Sequence, residues 1–144
     1  MIVATKPAAT VAEDAWRLLF ELARRKHSTL VPALAELDLT PVQGHALRLL
    51  DPERPIAMSA LADALFCHAS NVTGIVDRLE ARGLVERQTG QEDRRVKTLA
   101  LTEAGKRVRS QVVELVRRPP PEIAALGASD QRALREILGR ALDR

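Results

Sequence analysis

Aromatic side chains are nearly absent from this 144-residue chain: they make up 2% of it, with no Tyr, one Trp and two Phe. That shortage argues against modules that stack bases on aromatic platforms, such as RRM sheets or OB barrels, and leaves helix-packed aliphatics to form the core. Cysteine is as scarce. Cys67 stands alone, so no internal disulfide staples the fold. No apolar run approaches the roughly 20 residues that span a bilayer. The opening MIVATKPAAT lacks a charged segment followed by an apolar one, so the expected location is cytoplasmic, with no membrane partner. No Ser/His/Asp or Cys/His arrangement appears at a recognisable spacing, and there is no Gly-rich phosphate loop. The expectation is a non-enzyme with no cofactor. A metal site at Cys67 and His68 would lack further ligands, because His27 and His45 belong to other helices, so none is expected.

What is present is aliphatic and weakly basic. Hydrophobic residues make up 46% of the chain, the net charge is +3 and the isoelectric point is near 9.6. The length suits one domain with a proper core. The basic excess is compatible with an anionic partner and with many soluble proteins that have none.

Thr10 to Glu13 fits a capping box. Val11, Ala15, Leu18 and Leu22 follow at helical spacing, and Leu30, Leu34 and Leu37 continue after a polar break that includes Pro32, expected to kink or interrupt the helix. Thr40-Pro41-Val42-Gln43 is a second capping box with Pro at the first helical position. Its helix carries Ala46, Leu47 and Leu50 and stops at Asp51 to Pro55, and Ile56-Ala57-Met58 is long enough for a brief strand. Ser59 is the expected N-cap of a third helix through about Phe66. A fourth helix runs from about Ala69 to Arg82, where Gly83 stops it. Leu84 to Arg87 and Val96 to Leu101 read as paired strands, with Thr89 to Arg95 as a long hairpin loop. Thr102 caps a helix with Val108, Val112, Leu115 and Val116 on one stripe, and Pro119-Pro120-Pro121 forbids its continuation. A last helix begins near Ser129, with Leu134, Ile137, Leu138, Ala141 and Leu142 at i, i+3, i+4, i+7, i+8. The apolar stripes of the first and last helices would form a large exposed patch, which either packs within the chain or is covered in a dimer.

Two short helices followed by a strand, a charged loop and a second strand are the sequence form of a winged helix-turn-helix, whose second helix fits a DNA major groove. Here the residues become recognisable. Leu39-Thr40-Pro41-Val42-Gln43, Ser59 to Leu65, the run Ser70-Asn71-Val72-Thr73-Gly74-Ile75-Val76-Asp77-Arg78-Leu79-Glu80-Ala81-Arg82-Gly83-Leu84-Val85-Glu86-Arg87, the D-x-R of Asp93 and Arg95, and Leu101-Thr102-Glu103-Ala104-Gly105 resemble, in order and spacing, the MarR family of transcriptional regulators. The resemblance covers nearly the whole chain. It implies a mainly α fold with a small β-hairpin wing, a winged helix-turn-helix flanked by N- and C-terminal dimerisation helices. The expected layout is one domain over 1–144, with dimerisation helices at about 10–37 and 103–144 and a DNA-binding lobe at about 40–101. It further implies a homodimer on palindromic double-stranded operator DNA, with half-sites about 10 bp apart, acting as a repressor released by a small-molecule effector.

On that pattern Ser70, Asn71 and Thr73 face bases and phosphates, since Asn can pair bidentately with adenine. Gly74 stands where many relatives carry Arg, which removes one base contact and lets the backbone approach DNA. Arg78 reaches phosphate and Asp77 orients a neighbouring basic group. In the wing, Asp93 braces the loop, Arg94 and Arg95 suit a narrow minor groove, and Lys97 adds a contact. Arg87 and Ser59 are candidate phosphate contacts. Relatives build their effector pocket on the first two helices, which makes Trp16, His27, His45 and Arg48 candidate lining residues, although several of them read more simply as plain core or surface. Two alternatives stay open: a thiol-based redox regulator acting through Cys67, near a helix N-terminus, and a winged-helix module that binds protein without DNA.

Overall fold

A computed structural model describes residues 10–66, 68–89 and 97–144, with the side chains of Ala69 and Ser70 outside the description. Among these the order is α1 (Val11–Ala35), α2 (Pro41–Leu49), β1 (Ile56–Ala57), α3 (Met58–Ala64), α4 (Ala69–Ala81), β2 (Val85–Thr89), β3 (Lys97–Leu101), α5 (Glu103–Arg117), α6 (Pro121–Ala124) and α7 (Ala128–Ala141). The chain divides into two compact units. One is Leu30–Arg118, and the other joins the described part of residues 1–29 to Pro119–Arg144.

In the first unit the core is aliphatic throughout. Leu47, Leu50, Leu61, Val72, Val76, Leu79, Val85, Leu99 and Val112 are its largest fully buried side chains, so every element from α2 to α5 except the half-buried β1 contributes. The Thr40 capping box forms as expected: Gln43 N–H donates to Thr40 Oγ1 at 3.3 Å, and Thr40 N–H donates to Gln43 Oε1 at 2.9 Å. The three-stranded antiparallel sheet has the order β1-β3-β2, with Ile56 and Arg87 both opposite Leu99. Alternation buries Leu99 and Leu101 on one face of β3.

Two helices of this unit end in the same way. At the end of α1, Asp38 takes a left-handed φ of 53°, Leu39 N–H donates to Leu34 O at 2.9 Å and Asp38 N–H to Ala35 O at 2.9 Å. After α4, Gly83 takes φ 65°, Leu84 N–H donates to Leu79 O at 3.0 Å and Gly83 N–H to Glu80 O at 2.8 Å. Both are Schellman caps with their apolar pair, Leu34–Leu39 and Leu79–Leu84, buried. Arg82 ties the two ends together, donating to Leu37 O at 2.9 Å and Asp38 O at 2.5 Å. Arg109 of α5 does the same for α2, donating to Leu50 O at 2.7 Å.

The start of α5 is seated on this second cap. Thr102 Oγ1 accepts from Gly105 N–H at 3.0 Å and donates to Gly83 O at 2.6 Å. Thr102 N–H donates to Leu84 O at 3.1 Å. The approach is so close that a Cβ on Gly105 would lie 1.8 Å from Leu84 O.

In the second unit Thr10 and Glu13 form their capping box at 2.6 and 3.2 Å. Glu21 accepts from Arg24 and Arg25, whose hydrogen bonds pull its carboxyl down to about 2. Arg25 also reaches Glu122 of α6 at 3.5 Å, and Gln131 Nε2 donates to the carbonyls of Ile123, Ala124 and Leu126. An open apolar groove of about 610 Å³ runs along this unit, lined by Leu18, Leu19, Leu22, Ile123, Leu134 and Leu138 among others.

Several sequence expectations change. Pro32 does not interrupt α1, which is continuous through it. The proline is exposed while Leu34 is buried, so its ring is accommodated on the solvent side, where helices tolerate lengthened bonds. Ser59 is not the N-cap of α3. Ala57 is, because β1 runs straight into the helix, and Ser59 sits exposed in the first turn. Helix α3 also ends two residues before Phe66, which takes a left-handed φ of 51° and is 97% exposed. A phenylalanine holds that conformation at some strain. Strand β2 extends two residues beyond Arg87, and α6 is a helix that the three prolines did not announce.

Two outcomes follow for stability. Gly105→Ala forces Leu84 and α5 apart and lowers unfolding stability by about 3 kcal/mol, readable by circular dichroism melting. Arg82→Ala leaves two helix-end carbonyls without their charged donor and costs about 1–2 kcal/mol in the same melt, while Arg82→Lys recovers part of it.

Candidate nucleic-acid interface

Helix α4 has two faces, set by its sequence. Val72, Val76 and Leu79 are buried with Ile75 beside them, while Asn71, Thr73, Gly74, Asp77 and Arg78 are exposed. Burial of the first set fixes the rotation of the helix and therefore turns the second set outward. The N-cap is His68, with extended backbone and no side-chain cap bond. The α4 positions expected to contact DNA thus share one solvent-facing stripe, apart from Ser70, whose side chain lies outside the described residues.

The next strand is pinned to that stripe by charge. The Arg87 guanidinium bridges Asp77 and Glu80 of α4, and Arg87 N–H donates to Glu80 Oε1 at 3.0 Å. The hydrogen bond that Arg87 donates to Asp77 holds the guanidinium still more firmly protonated than usual. Its side chain is only 28% exposed. Of the residues singled out from sequence, Asp77 and Arg87 are therefore brought together. Glu80 completes the cluster and was not anticipated, although its position three residues after Asp77 puts it on the same face of a helix. Arg82 was missed as well: a lone arginine at a helix end carries no signal for which distant carbonyls it will reach.

Lys97 is exposed at the start of β3, opposite Thr89. Asp93, Arg94 and Arg95 of the wing, and Cys67 before α4, lie outside the described residues. The four candidate pocket residues fall in two different units. Trp16, 68% exposed, and exposed His27 lie on the part of α1 in one unit, while His45 and Arg48 lie exposed on α2 in the other. None of them lines the apolar groove. A second cavity of about 480 Å³, between α1 and α5, is lined by Ala33, Glu36, Leu37, Glu114, Leu115 and Arg118 among others. Among the described residues, no three His, Cys, Asp or Glu side chains cluster to hold a metal ion, and no helix is long and apolar enough to cross a membrane.

The fold is shared with known proteins. Residues 39–97 match the MarR family. An uncharacterised HTH-type transcriptional regulator, YfiV of Bacillus subtilis, is 37% identical over 73 residues, which are 51% of this chain and 46% of YfiV. The chain thus matches less than half the length of that relative. The organic hydroperoxide resistance transcriptional regulator of the same organism is 26% identical over 120 residues, covering 83% of this chain and 79% of its own. Among solved structures, a mutant of MepR from S. aureus superposes with a TM-score of 0.79 at 19% identity, covering 94% of this chain and 98% of that one. Another MepR mutant, bound to an oligodeoxyribonucleotide, superposes at 0.66 with 20% identity over the same shares. The segment over residues 39–97 thus carries the MarR family pattern, and the chain has the winged-helix fold of the MepR structures.

Proposed function

We propose that this protein is a sequence-specific DNA-binding regulator that acts as a homodimer and works by binding rather than catalysis. The observation that carries the reading is the outward stripe of α4. A helix held by its apolar face and pinned by Arg87 presents Asn71, Thr73 and Arg78 together, short and long polar groups suited to base edges and phosphates. The sequence pattern adds Ser70, Ser59, Lys97, Asp93, Arg94 and Arg95 as further contacts in this reading. The MepR complex with an oligodeoxyribonucleotide supports it by analogy of fold. In this reading Arg87 is first a brace: its charge is matched by Asp77 and Glu80 before any phosphate arrives.

The dimer reading rests on the second unit. Leu18, Phe20, Ile137 and Leu142 are exposed large apolar side chains, and Leu18 and Ile137 line the open apolar groove, a surface that a second copy of the chain would cover. A small-molecule effector then releases the operator by changing the distance between the two lobes, with Trp16, His27, His45 and Arg48 as candidate lining residues.

Fluorescence anisotropy with DNA from the chain's own upstream region, against a shuffled control at several salt concentrations, tests the reading. Preference for the native sequence by about 10³ or more, falling steeply with salt, is expected. Equal weak binding to both DNAs would sink it. Arg78→Ala reduces the slope of log K against log salt by about one, as loss of a phosphate contact should. Arg87→Ala weakens binding and leaves that slope unchanged, whereas a drop of about one would assign Arg87 to phosphate. In the second unit Ile137→Asp converts the dimer to monomer in light scattering, since it buries a charge in the apolar interface.

A further inference from the structure

Each glycine inside a helix of the lobe has a visible internal reason for being glycine, except one. In α2, a Cβ on Gly44 would lie 2.9 Å from Leu34 Cδ2, and in α5 a Cβ on Gly105 would collide with Leu84 O. Gly83, just past α4, needs its left-handed φ of 65°. Gly74 has neither constraint. It stands in the interior of α4 with right-handed helical backbone, and among the described residues nothing lies within 4 Å of where its Cβ would be. Glycine there weakens the helix relative to alanine, because it loses more backbone freedom on folding. No packing or conformational constraint within the described protein offsets that loss.

The surroundings of Gly74 say where the reason lies. It is at the centre of the outward stripe, one turn after Asn71 and one turn before Arg78, with Thr73 and Asp77 exposed beside it. Polar groups able to hold base edges or phosphates therefore flank a spot where the helix surface is bare backbone. We infer that Gly74 is a specificity-determining position: a base-pair edge in the major groove comes to van der Waals distance of its Cα, in space that any side chain would occupy. The inference rests on the DNA-binding reading above and adds to it that the centre of the helix reads DNA by fit, where a longer residue would read it by hydrogen bonds.

Three species decide it: the wild type, Gly74→Ala and Gly74→Ser, each titrated by anisotropy with the native operator and with shuffled DNA, and each melted. Alanine should raise the melting temperature by about 2 °C or more, since nothing in the described protein opposes the added methyl. It should lower operator affinity by about tenfold while leaving shuffled-DNA affinity within about twofold, and serine should do the same. A more stable protein that has lost specific binding alone is the signature. Operator affinity within about twofold of wild type for both variants overturns the inference, and so does an equal loss on both DNAs. A wild type that shows no preference for its operator would instead remove the DNA-binding reading and this inference with it.

Discussion

Everything the lobe presents to solvent depends on the burial of Val72, Val76 and Leu79. Those three side chains, less than 2% exposed, lock α4 against Leu47, Leu50, Leu61 and Leu99. With 3.6 residues per turn, a rotation of the helix by one position would carry Asn71 and Arg78 away from the outward stripe and drive a polar group into an aliphatic core. The core contains no buried aromatic to impose shape, so it specifies the rotation through many interdigitated branched methyls. Truncating one such leucine typically costs about 2–5 kcal/mol, against a total of about 5–15 for a whole domain. Recognition and folding are therefore one constraint: the apolar stripe that stabilises α4 is also what aims it.

Charge then restrains what packing leaves free. Arg82 holds the C-terminal end of α4 to the end of α1, Arg87 holds β2 to its exposed side, and Arg109 closes the end of α2. All three are arginines that bridge two acceptors, which a planar guanidinium can do in a fixed geometry and an ammonium cannot. They also draw on the small basic excess. Arg87 and Arg109 are half-buried at these bridges, whereas Arg78 and Lys97 stay exposed.

Much of this was legible in the sequence, for local reasons. Capping boxes at Thr10 and Thr40, the stop at Gly83 and the stripe of α4 are encoded within one or two turns, so spacing alone places them. The family resemblance came from the same local runs. What was not legible depends on distant partners. Pro32 is tolerated because of which side of α1 is buried, and Ser59 lost its capping role because β1 leads directly into α3. Likewise, nothing near Arg82 in sequence names Leu37 and Asp38 as its acceptors. The four candidate pocket residues fall in different units, because helix membership says little about which unit a residue will join. Trp16 and His27 share α1 with Leu34, yet that helix contributes to both units.

The two units solve the burial problem differently, and that difference bears on how the regulator can work. The lobe closes its own core and caps its own helices, so it can hold a reading surface steady. The second unit leaves Leu18, Phe20, Ile137 and Leu142 exposed, so in the proposed dimer its stability would vary with protein concentration. A steady lobe can carry weak points that a marginal one could not. Helix α4 is held along one face, at its end by a Schellman cap and Arg82, and on its flank by Arg87. With the helix restrained on so many sides, a glycine at the middle of its outward face can be kept without fraying it. The redundancy of the clamps is what leaves that one position open to be set by the partner rather than by the fold.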